Sequence, residues 1–511
     1  MTDAALLPVD PAPTVRLFQG KRACVIGAGL GGLALAIRLQ AAGIETVVVE
    51  ARAEAGGRAG AVQREGFTFD LGPTAFTDPA ALAELWALSG HDLAHDLDLL
   101  PVSPLCRFNW PDGAHFDLTS DDAALTREIA RLAPSDLAGY DDFARHAAGA
   151  LADCQAKRET PRGNMWMQLI SSTTLLARHQ GWRSLHGLVS SFVKHERLRQ
   201  VLSFGALRRG ANPCATGALV AADHAREQQY GLWAPKGGIG QLAAAMAAQF
   251  ERLGGTLRLH DPVVHLHTIG NRVSEVEAQS GWRERFDAVT SNADLVHTYR
   301  DLLSELPRGA EMARSFARMR FAPGLFVVHF ALEGSWPGIP HTMALMASRF
   351  EGLLDDVFEH GVLPQDSLIM LSHPSVTDPS LAPEGKSVFS AAAPVAHLGK
   401  LPIDWEQVGP LLEKRVLDEI GRRLVPDIHD RIVTKFHVTP RDAALDFNAH
   451  VGSAWGLEPT RLQDWAMRPT GRDAKLANFY LVGAGTQPGA GLPAVLAGAR
   501  STATLMLEDL R

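Results

Sequence analysis

An α/β fold built on a Rossmann-type dinucleotide-binding domain is predicted by two glycine-rich turns, one near each end of the chain. The first turn follows the apolar run 23–26 and precedes a helical pattern that reaches Leu39. The second follows the apolar run 479–482 and precedes a helical pattern that reaches Leu507. A strand, a glycine-rich turn and a helix are the parts of a dinucleotide site. Two such elements so far apart predict one discontinuous domain.

The first turn has the G-x-G-x-x-G spacing, with glycines at Gly27, Gly29 and Gly32. The first allows a tight turn, the second lets a pyrophosphate approach the backbone near Ala28, and the third lets the helix pack closely on the sheet. The amides at the start of that helix would face the phosphates. Glu50 ends the next apolar run, where it can accept hydrogen bonds from both hydroxyls of an adenosine ribose. A phosphorylated ribose, as in NADP, is therefore disfavoured.

The residues after Glu50 distinguish between dinucleotides. Gly56-Gly57-Arg58 is followed by Phe-Asp-Leu-Gly-Pro at 69–73. This order resembles the flavin amine-oxidase and phytoene-desaturase superfamily, in which a G-G-R segment closes over the FAD diphosphate and a G-P turn comes near the flavin ring. The resemblance implies FAD as cofactor. The terminal glycine-rich turn at 483–491 would then stabilise negative charge on the flavin pyrimidine ring.

Three longer segments, 33–43, 291–303 and 481–491, are similar to bacterial carotenoid desaturases of the phytoene desaturase type. The similarity runs from about Lys21 to the end of the sequence, in the family's order. It implies oxidation of carbon–carbon single bonds in a C40 isoprenoid, with phytoene as the implied substrate, and it places Val264 against the adenine. The residues predicted to bind FAD are Gly27, Ala28, Gly29, Gly32, Glu50, Arg52, Gly57, Arg58, Gly72, Pro73, Val264, Asn292, Gly483, Gly485, Gly491 and Leu492.

The chain departs from the family pattern at several positions. The acidic residue proposed to handle the proton in the family corresponds to Gln168, and a carboxamide cannot act as a general base near neutral pH. Gln487 stands where the family commonly has histidine, and Arg208 and Arg209 stand where it has apolar residues. No catalytic residue is therefore predicted. The two arginines are expected to face lipid or solvent rather than a polar end of the substrate.

Composition limits the remaining classes of function. The chain has 511 residues, enough for two or three domains. Its formal net charge of −8 does not indicate a surface that binds nucleic acid. The four cysteines show no C-x-x-C spacing. No metal site is predicted, because the histidines that fall in or beside apolar strands or turns also lack ligand spacing. These histidines are His297, His329, His373, His397 and His450.

A basic and apolar region extends from residue 161 to 209, with Glu196 as its one acid. It is typical of a surface that rests on an anionic bilayer, although a helical lid with a solvated basic face has the same pattern. The basic residues are Arg162, Arg178, Arg183, Lys194, Arg197, Arg199, Arg208 and Arg209. Interleaved apolar residues include Trp166, Met167, Leu169, Ile170, Trp182, Leu185, Leu188, Val189 and Val193.

The location predicted from these features is the cytoplasm, with peripheral binding to the membrane. No window offers the roughly 18 uninterrupted apolar residues of a spanning helix. Residues 1–20 lack a basic start and a long apolar centre, so a secretory signal is not expected.

The rest of the chain predicts a mixed-sheet substrate domain beside the FAD-binding domain. Strands are expected over 257–289 and in a second block over 324–394, followed by a helix over 405–424. Helical patterns cover 80–88, 121–152 and 242–252. The predicted division is an FAD-binding domain of 18–117, 231–300 and 472–511, a helical membrane-associating lid of 118–230, and a substrate-binding domain of 301–471.

The implied reaction moves a hydride from an allylic carbon to the flavin while a proton leaves the neighbouring carbon. Conjugation that stabilises the developing allylic cation would remove the need for a strong base. A membrane quinone or oxygen is the implied acceptor for the electrons. Two alternatives stay open: a desaturase or cis–trans isomerase acting on another polyene, and a non-catalytic protein that binds flavin and carotenoid.

Overall fold

The computed structural model describes residues 18–159 and 173–511. Its strands are β1 (Arg22–Ile26), β2 (Glu45–Val49), β3 (Ala61–Arg64), β4 (Phe67–Asp70), β5 (Leu99–Val102), β6 (Cys106–Asn109), β7 (His115–Leu118), β8 (Leu232–Pro235), β9 (Thr256–Arg258), β10 (Val263–Ile269), β11 (Arg272–Ala278), β12 (Arg283–Glu284), β13 (Ala288–Ser291), β14 (Gly324–Glu333), β15 (Thr342–Leu345), β16 (Ile369–Ser372), β17 (Lys386–Val395), β18 (Ile432–Val438) and β19 (Phe479–Leu481).

The α-helices of seven or more residues in the same part of the chain include five that follow one another between β7 and β8. The helices of this length are α1 (Leu30–Ala41), α2 (Pro79–Ala87), α3 (Asp122–Leu132), α4 (Leu137–Glu159), α5 (Leu185–Phe192), α6 (Glu196–Ser203), α7 (Ala221–Tyr230), α8 (Ile239–Arg252), α9 (Pro307–Ala317), α10 (Trp405–Arg423), α11 (Pro440–Asp446) and α12 (Leu492–Asp509).

A five-stranded parallel sheet forms the first layer, in the order β19-β13-β1-β2-β9. Its strands are all parallel and come from distant parts of the chain. A parallel sheet with helices beside it confirms the predicted α/β fold. In β1, Ala23 and Val25 enter one apolar core, whereas Cys24 and Ile26 enter another on the opposite face. Successive side chains of a strand point to opposite faces, and a strand buried on both faces reads as a continuous apolar run.

Helices α1 and α12 pack against each other beside this sheet. Leu33 and Ile37 of α1 share a core with Leu496 and Met506 of α12. The Thr502 hydroxyl donates to the Leu481 carbonyl oxygen at 3.0 Å, which fixes α12 to the edge strand β19. The helices that follow the two glycine-rich turns therefore lie side by side.

A seven-stranded sheet forms the second layer, in the order β18-β14-β17-β16-β15-β6-β7. All neighbours are antiparallel apart from β15 and β6. Phe326, Val328 and Phe330 of β14 are buried in one core with Leu417 and Ile420 of α10. The expected strand blocks over 257–289 and 324–394 and the helix over 405–424 are all present. The helical pattern over 121–152 is broken, because a 3₁₀ turn that begins at Pro134 separates α3 from α4.

The helical region differs from the expected membrane surface. Leu185, Leu188, Val189 and Val193 are buried in a core that also contains Phe143 of α4, so the expectation that they face a bilayer is wrong. The apolar side of α5 packs on the protein instead. Arg162, Trp166, Met167, Gln168, Leu169 and Ile170 lie outside the described residues. Across 18–159 and 173–511, no helix combines the length and the apolar character that a membrane crossing requires.

Asp70, at the end of β4, holds the first turn of α8. Its Oδ1 accepts a hydrogen bond from the Ile239 amide at 2.8 Å, and a methyl group at Gly238 would lie 2.6 Å from that oxygen. Burial raises the pKa of Asp70 to about 7, whereas an aspartate in an unfolded chain has a pKa of about 3.9. The folded state therefore loses stability as the pH rises through the folded pKa.

We expect Asp70→Asn, which keeps the acceptor for Ile239 and removes the charge, to abolish this pH dependence. Between about pH 6 and pH 8.5 the parent chain should lose about 1.4 kcal/mol of unfolding free energy relative to the variant. Urea unfolding at both pH values measures the difference. Parallel pH dependences of the two proteins would contradict the assignment.

Candidate functional site

The first glycine-rich turn connects β1 to α1 at the carboxyl edge of the parallel sheet. Gly27 adopts a φ of +96°, and its amide donates to the Val49 carbonyl oxygen at 2.8 Å. A methyl group at Gly32 would lie 2.1 Å from the Gly27 carbonyl oxygen, so this close approach requires glycine. Among the described residues, no side chain caps α1, which begins after Gly29. Its first amides are available to a phosphate.

Glu50 is buried directly beside this turn. One carboxylate oxygen accepts from the Ala28 amide at 2.6 Å and the other from the Arg52 amide at 2.9 Å. A carboxylate has about four acceptor positions. Glu50 is therefore fixed by the backbone and keeps acceptor capacity for a pair of ribose hydroxyls.

Asn292, directly after β13, joins the first turn to the second. Its Nδ2 donates to the Gly27 carbonyl oxygen at 3.3 Å. A methyl group at Gly29 would lie 2.9 Å from that nitrogen, and one at Gly483 would lie 2.3 Å from the Asn292 Oδ1. The structure thus brings together predicted site residues from both ends of the chain and from its middle.

The Gly57-Arg58 segment closes over the first turn. The Gly56 amide donates to the Ala28 carbonyl oxygen at 2.9 Å, and a methyl group at Gly57 would lie 3.4 Å from the Cα of Gly29. Arg58 donates through Nη1 to the Ala454 carbonyl oxygen at 3.0 Å, and burial lowers the pKa of its guanidinium. A guanidinium has five N–H donors. Further donors of Arg58 therefore remain for a ligand phosphate.

Gly72, which precedes Pro73, packs directly on the Arg58 backbone. A methyl group at Gly72 would lie 2.2 Å from the Arg58 carbonyl oxygen. Thr74, which follows Pro73, contacts His341 beside the second sheet. The His341 Nε2 lies 3.0 Å from the Thr74 Oγ1. The His341 Nδ1 lies 2.8 Å from the Thr377 Oγ1, and burial lowers the pKa of this histidine to about 4. His341 is thus neutral near pH 7 and ties the Gly72 turn to the second sheet.

The terminal turn leads into α12, whose first residue, Leu492, is buried. Gly491 precedes it with a φ of +101°, and nothing lies within 4 Å of a methyl group added there. A methyl group at Gly485 would lie 2.8 Å from the Leu295 Cγ, so this glycine packs on protein. Arg468 fixes the turn by donating to the Ala484 carbonyl oxygen at 2.9 Å. It also donates to the Leu457 carbonyl oxygen at 3.0 Å. Sequence reasoning missed Arg468 as a support, because arginine is rarely buried.

Val264 and Arg52 lie at the Glu50 end of the site. The Asp261 amide donates to the Glu50 carbonyl oxygen at 3.0 Å, and β10 begins two residues later. The Val264 side chain is 44% exposed, unusual for valine in a sheet and compatible with contact to a flat ligand. The Arg52 guanidinium lies 4.7 Å from the centre of the Phe447 ring, so part of its interaction is with protein.

Arg208 and Arg209 do not face lipid or solvent, and that expectation is wrong. Arg208 donates to both carboxylate oxygens of Glu227 at 2.6 Å, and Arg209 donates to Asp223 at 2.8 Å. The two acids lie four residues apart on α7, on one side of the helix. Burial raises the pKa of Glu227, an effect that the Arg208 charge opposes. The Trp455 indole donates to the Arg208 carbonyl oxygen at 3.0 Å.

The donors and acceptors of this site fit a dinucleotide with an unphosphorylated ribose. Glu50 and Val264 stand at one end, and the α1 amides and Arg58 stand at the turn. Gly491, like Gly29, starts its helix without a side-chain cap in the described structure. The second uncapped helix start is suited to a further electron-rich group.

Comparisons with known proteins point in the same direction. The family model described as flavin containing amine oxidoreductase matches residues 30–507. A phytoene desaturase (lycopene-forming) of a Paracoccus species is 43% identical over 490 residues, covering 96% of this chain and 98% of the relative. The lycopene-forming enzyme of Pantoea ananas is 41% identical over 96% of this chain and 100% of the relative. A neurosporene-forming phytoene desaturase of Cereibacter sphaeroides is 36% identical over 95% and 94%.

Solved structures of amine oxidases share the fold. Putrescine oxidase bound to putrescine matches with a TM-score of 0.61 and 16% identity, covering 96% of this chain and 98% of that one. Cyclohexylamine oxidase from Brevibacterium oxydans matches with a TM-score of 0.60 and 17% identity, covering 96% and 100%. At this identity the likeness concerns the fold alone.

We expect Gly29→Ala to weaken flavin binding at least tenfold, about 1.4 kcal/mol, because the added methyl group would lie 2.9 Å from Asn292 where a diphosphate approaches. Gly205→Ala is the matched control, since nothing lies within 4 Å of its added methyl group. Titration of flavin-free protein with FAD, followed by flavin fluorescence, gives both dissociation constants. Equal affinities of the two variants would contradict the site.

Proposed function

We infer that this chain, which belongs to the flavin-containing amine oxidoreductases and within them to the phytoene desaturases, is an FAD-dependent oxidoreductase that desaturates the C40 carotenoid precursor phytoene. A hydride and a proton leave adjacent carbons of the substrate, and a carbon–carbon double bond forms between them. The proposal rests on the contact of Asn292 with both Gly27 and Gly483, which are 456 positions apart in sequence. We call the two glycine-rich turns and Asn292 between them the flavin cradle.

Bound FAD supplies the hydride acceptor for this reaction. The residues of the chain hold it in place: Glu50 would bind the ribose, Arg58 and the α1 amides the diphosphate, and Val264 would lie against the adenine. The start of α12 would stabilise negative charge at the pyrimidine ring. The other residues proposed to contact FAD are Gly27, Ala28, Gly29, Gly32, Arg52, Gly57, Gly72, Pro73, Asn292, Gly483, Gly485, Gly491 and Leu492.

Proton removal needs no strong base in this proposal, because conjugation stabilises the positive charge that develops on the allylic carbons. The position aligned with the family's acidic residue is Gln168, which lies outside the described residues. His341 is positioned beside the Gly72 turn, but both of its ring nitrogens contact threonine hydroxyls. We therefore assign it a positioning role between the two sheets.

The domain division follows the sheets, with one adjustment. The sequence predicts an FAD-binding domain of 18–117, 231–300 and 472–511, a helical lid of 118–230 and a substrate-binding domain of 301–471, and we keep this division except at residues 106–118. Strands β6 and β7 pair with each other, and β6 pairs with β15 of the seven-stranded sheet. We therefore count residues 106–118 with the substrate-binding domain.

Peripheral binding to the cytoplasmic face of a membrane is part of the proposal, because the substrate is lipid-soluble. Trp182, Leu462 and Met467 are large apolar side chains exposed to solvent. Arg461 donates to the Trp182 carbonyl oxygen at 3.0 Å, so Trp182 and Leu462 belong to one surface. An exposed indole with a neighbouring arginine suits the interface of an anionic bilayer. A membrane quinone or oxygen would accept the electrons.

Anaerobic incubation of the FAD-loaded protein with phytoene liposomes tests the function. Without an acceptor we expect the flavin absorbance to bleach as each FAD takes up one hydride. With quinone present to reoxidise the flavin, a structured polyene band should grow, with lycopene, the product named for two relatives, as the end point. Added quinone should restore the oxidised flavin. Liposomes without phytoene are the control. Oxidised flavin and no new band would remove phytoene as substrate, and a shifted polyene spectrum without bleaching would indicate isomerisation or binding alone.

The membrane proposal predicts that replacing Trp182 and Leu462 together by serine weakens binding to anionic vesicles at least fivefold, about 1 kcal/mol. Leu411→Ser is the control, because Leu411 is equally exposed but lies on α10. Vesicle flotation of the three proteins measures binding. Unchanged flotation of the double variant would show that this surface does not contact the bilayer.

A further inference from the structure

Two histidines on β10 present their side chains on the same side of a three-stranded sheet. His265 and His267 are two residues apart, and residues i and i+2 of a strand share a face. Their ring centres lie 4.4 Å apart. Strand β11 pairs with β10, and Glu277 lies opposite His265 in the register.

Glu305 brings a carboxylate to this pair from the segment that precedes α9. The Glu305 Oε2 lies 3.1 Å from the His265 Nε2, yet this buried nitrogen has no hydrogen-bond partner in the described structure. The His265 Nε2 and the Glu305 Oε2 are therefore close to each other, but their orientation does not form a hydrogen bond. Potential ligand atoms of His265, His267 and Glu305 all lie within 4.8 Å of one another.

The dimensions are close to those of a metal site. Zinc bonds of 2.0–2.2 Å place the ligand atoms of a tetrahedral site about 3.4 Å apart. Glu305 is 74% exposed, so its side chain has room to move toward the two imidazoles. The 3.1 Å between the Glu305 Oε2 and the His265 Nε2 is already close to that spacing.

Glu277 fixes the second imidazole. Its Oε2 lies 2.7 Å from the His267 Nε2, and its Oε1 accepts from Arg283 at 2.7 Å. Metal-binding histidines commonly contact a carboxylate that orients the ring and raises its basicity. His267 thus has the supporting partner that a ligand histidine requires.

We propose that His265, His267 and Glu305 bind one divalent transition-metal ion of the zinc class, with Glu277 orienting His267. Two imidazoles favour zinc and its neighbours over magnesium or calcium, which prefer all-oxygen sites. The ion would tie the β10–β11 hairpin to the segment before α9. This site departs from the sequence-based expectation of no metal site, which rested on the cysteine spacing and on five other histidines. The proposal is independent of the desaturase reaction.

The test is isothermal titration of the tag-free, EDTA-treated, FAD-loaded chain with ZnCl₂. We expect one ion per chain with a dissociation constant in the micromolar range or lower. Glu305→Gln should weaken binding at least tenfold, and the His265→Ala, His267→Ala double variant should abolish the site. His95→Ala is the matched control, an exposed histidine on another element, and should bind as the parent does.

Glu305 is exposed, so Glu305→Gln removes no buried contact and keeps the test valid even where the double histidine variant is unstable. A parent chain that binds no zinc below roughly 100 μM overturns the proposal. Binding that Glu305→Gln leaves unchanged overturns it as well. Titration with MgCl₂ should give no heat of binding at this site, and equal affinity for magnesium would contradict the assigned ligand class.

Discussion

The Asn292 amide occupies a space that exists only because its neighbours carry no side chain. A methyl group would lie 2.9 Å from it at Gly29, 3.0 Å at Gly31 and 2.3 Å at Gly483. The amide in turn donates to the Gly27 carbonyl oxygen. The two glycine-rich turns are thus held together by one small polar group, and the two helices that follow them lie in contact. The proposed flavin cradle depends on this close approach.

The other parts of the proposed flavin site are each hydrogen-bonded to a further part of the protein. Glu50 is held by two backbone amides, Arg58 by the Ala454 carbonyl oxygen, and the terminal turn by Arg468. His341 links the Gly72 turn to the second sheet through two threonines. Buried polar groups that are hydrogen-bonded to the backbone define one arrangement more sharply than apolar contacts do. These hydrogen bonds fix the side chains and still leave acceptor positions on Glu50 and donors on Arg58 for a ligand.

The features that could be predicted from the sequence are those that depend on residues close together in the chain. The spacing of Gly27, Gly29 and Gly32, the acid at Glu50 and the apolar strands each depend on a few neighbouring residues, and the α/β fold follows from them. Features that depend on distant partners were not predictable. Arg208 and Arg209 pair with acids on α7, and α5 buries its apolar face against α4, so a basic and apolar sequence became part of the core. His341 and Arg468 were missed for the same reason, since their partners lie far away in sequence.

Hydrogen exchange measured by mass spectrometry, with and without saturating FAD, tests most directly whether both turns form one site. The account predicts that FAD slows exchange together in residues 27–32 and 483–492. The two segments lie at opposite ends of the chain, so joint protection requires that one ligand contacts both or stabilises their contact. Protection of 27–32 with unchanged exchange in 483–492 would contradict the account, because the terminal turn would then take no part in the cradle.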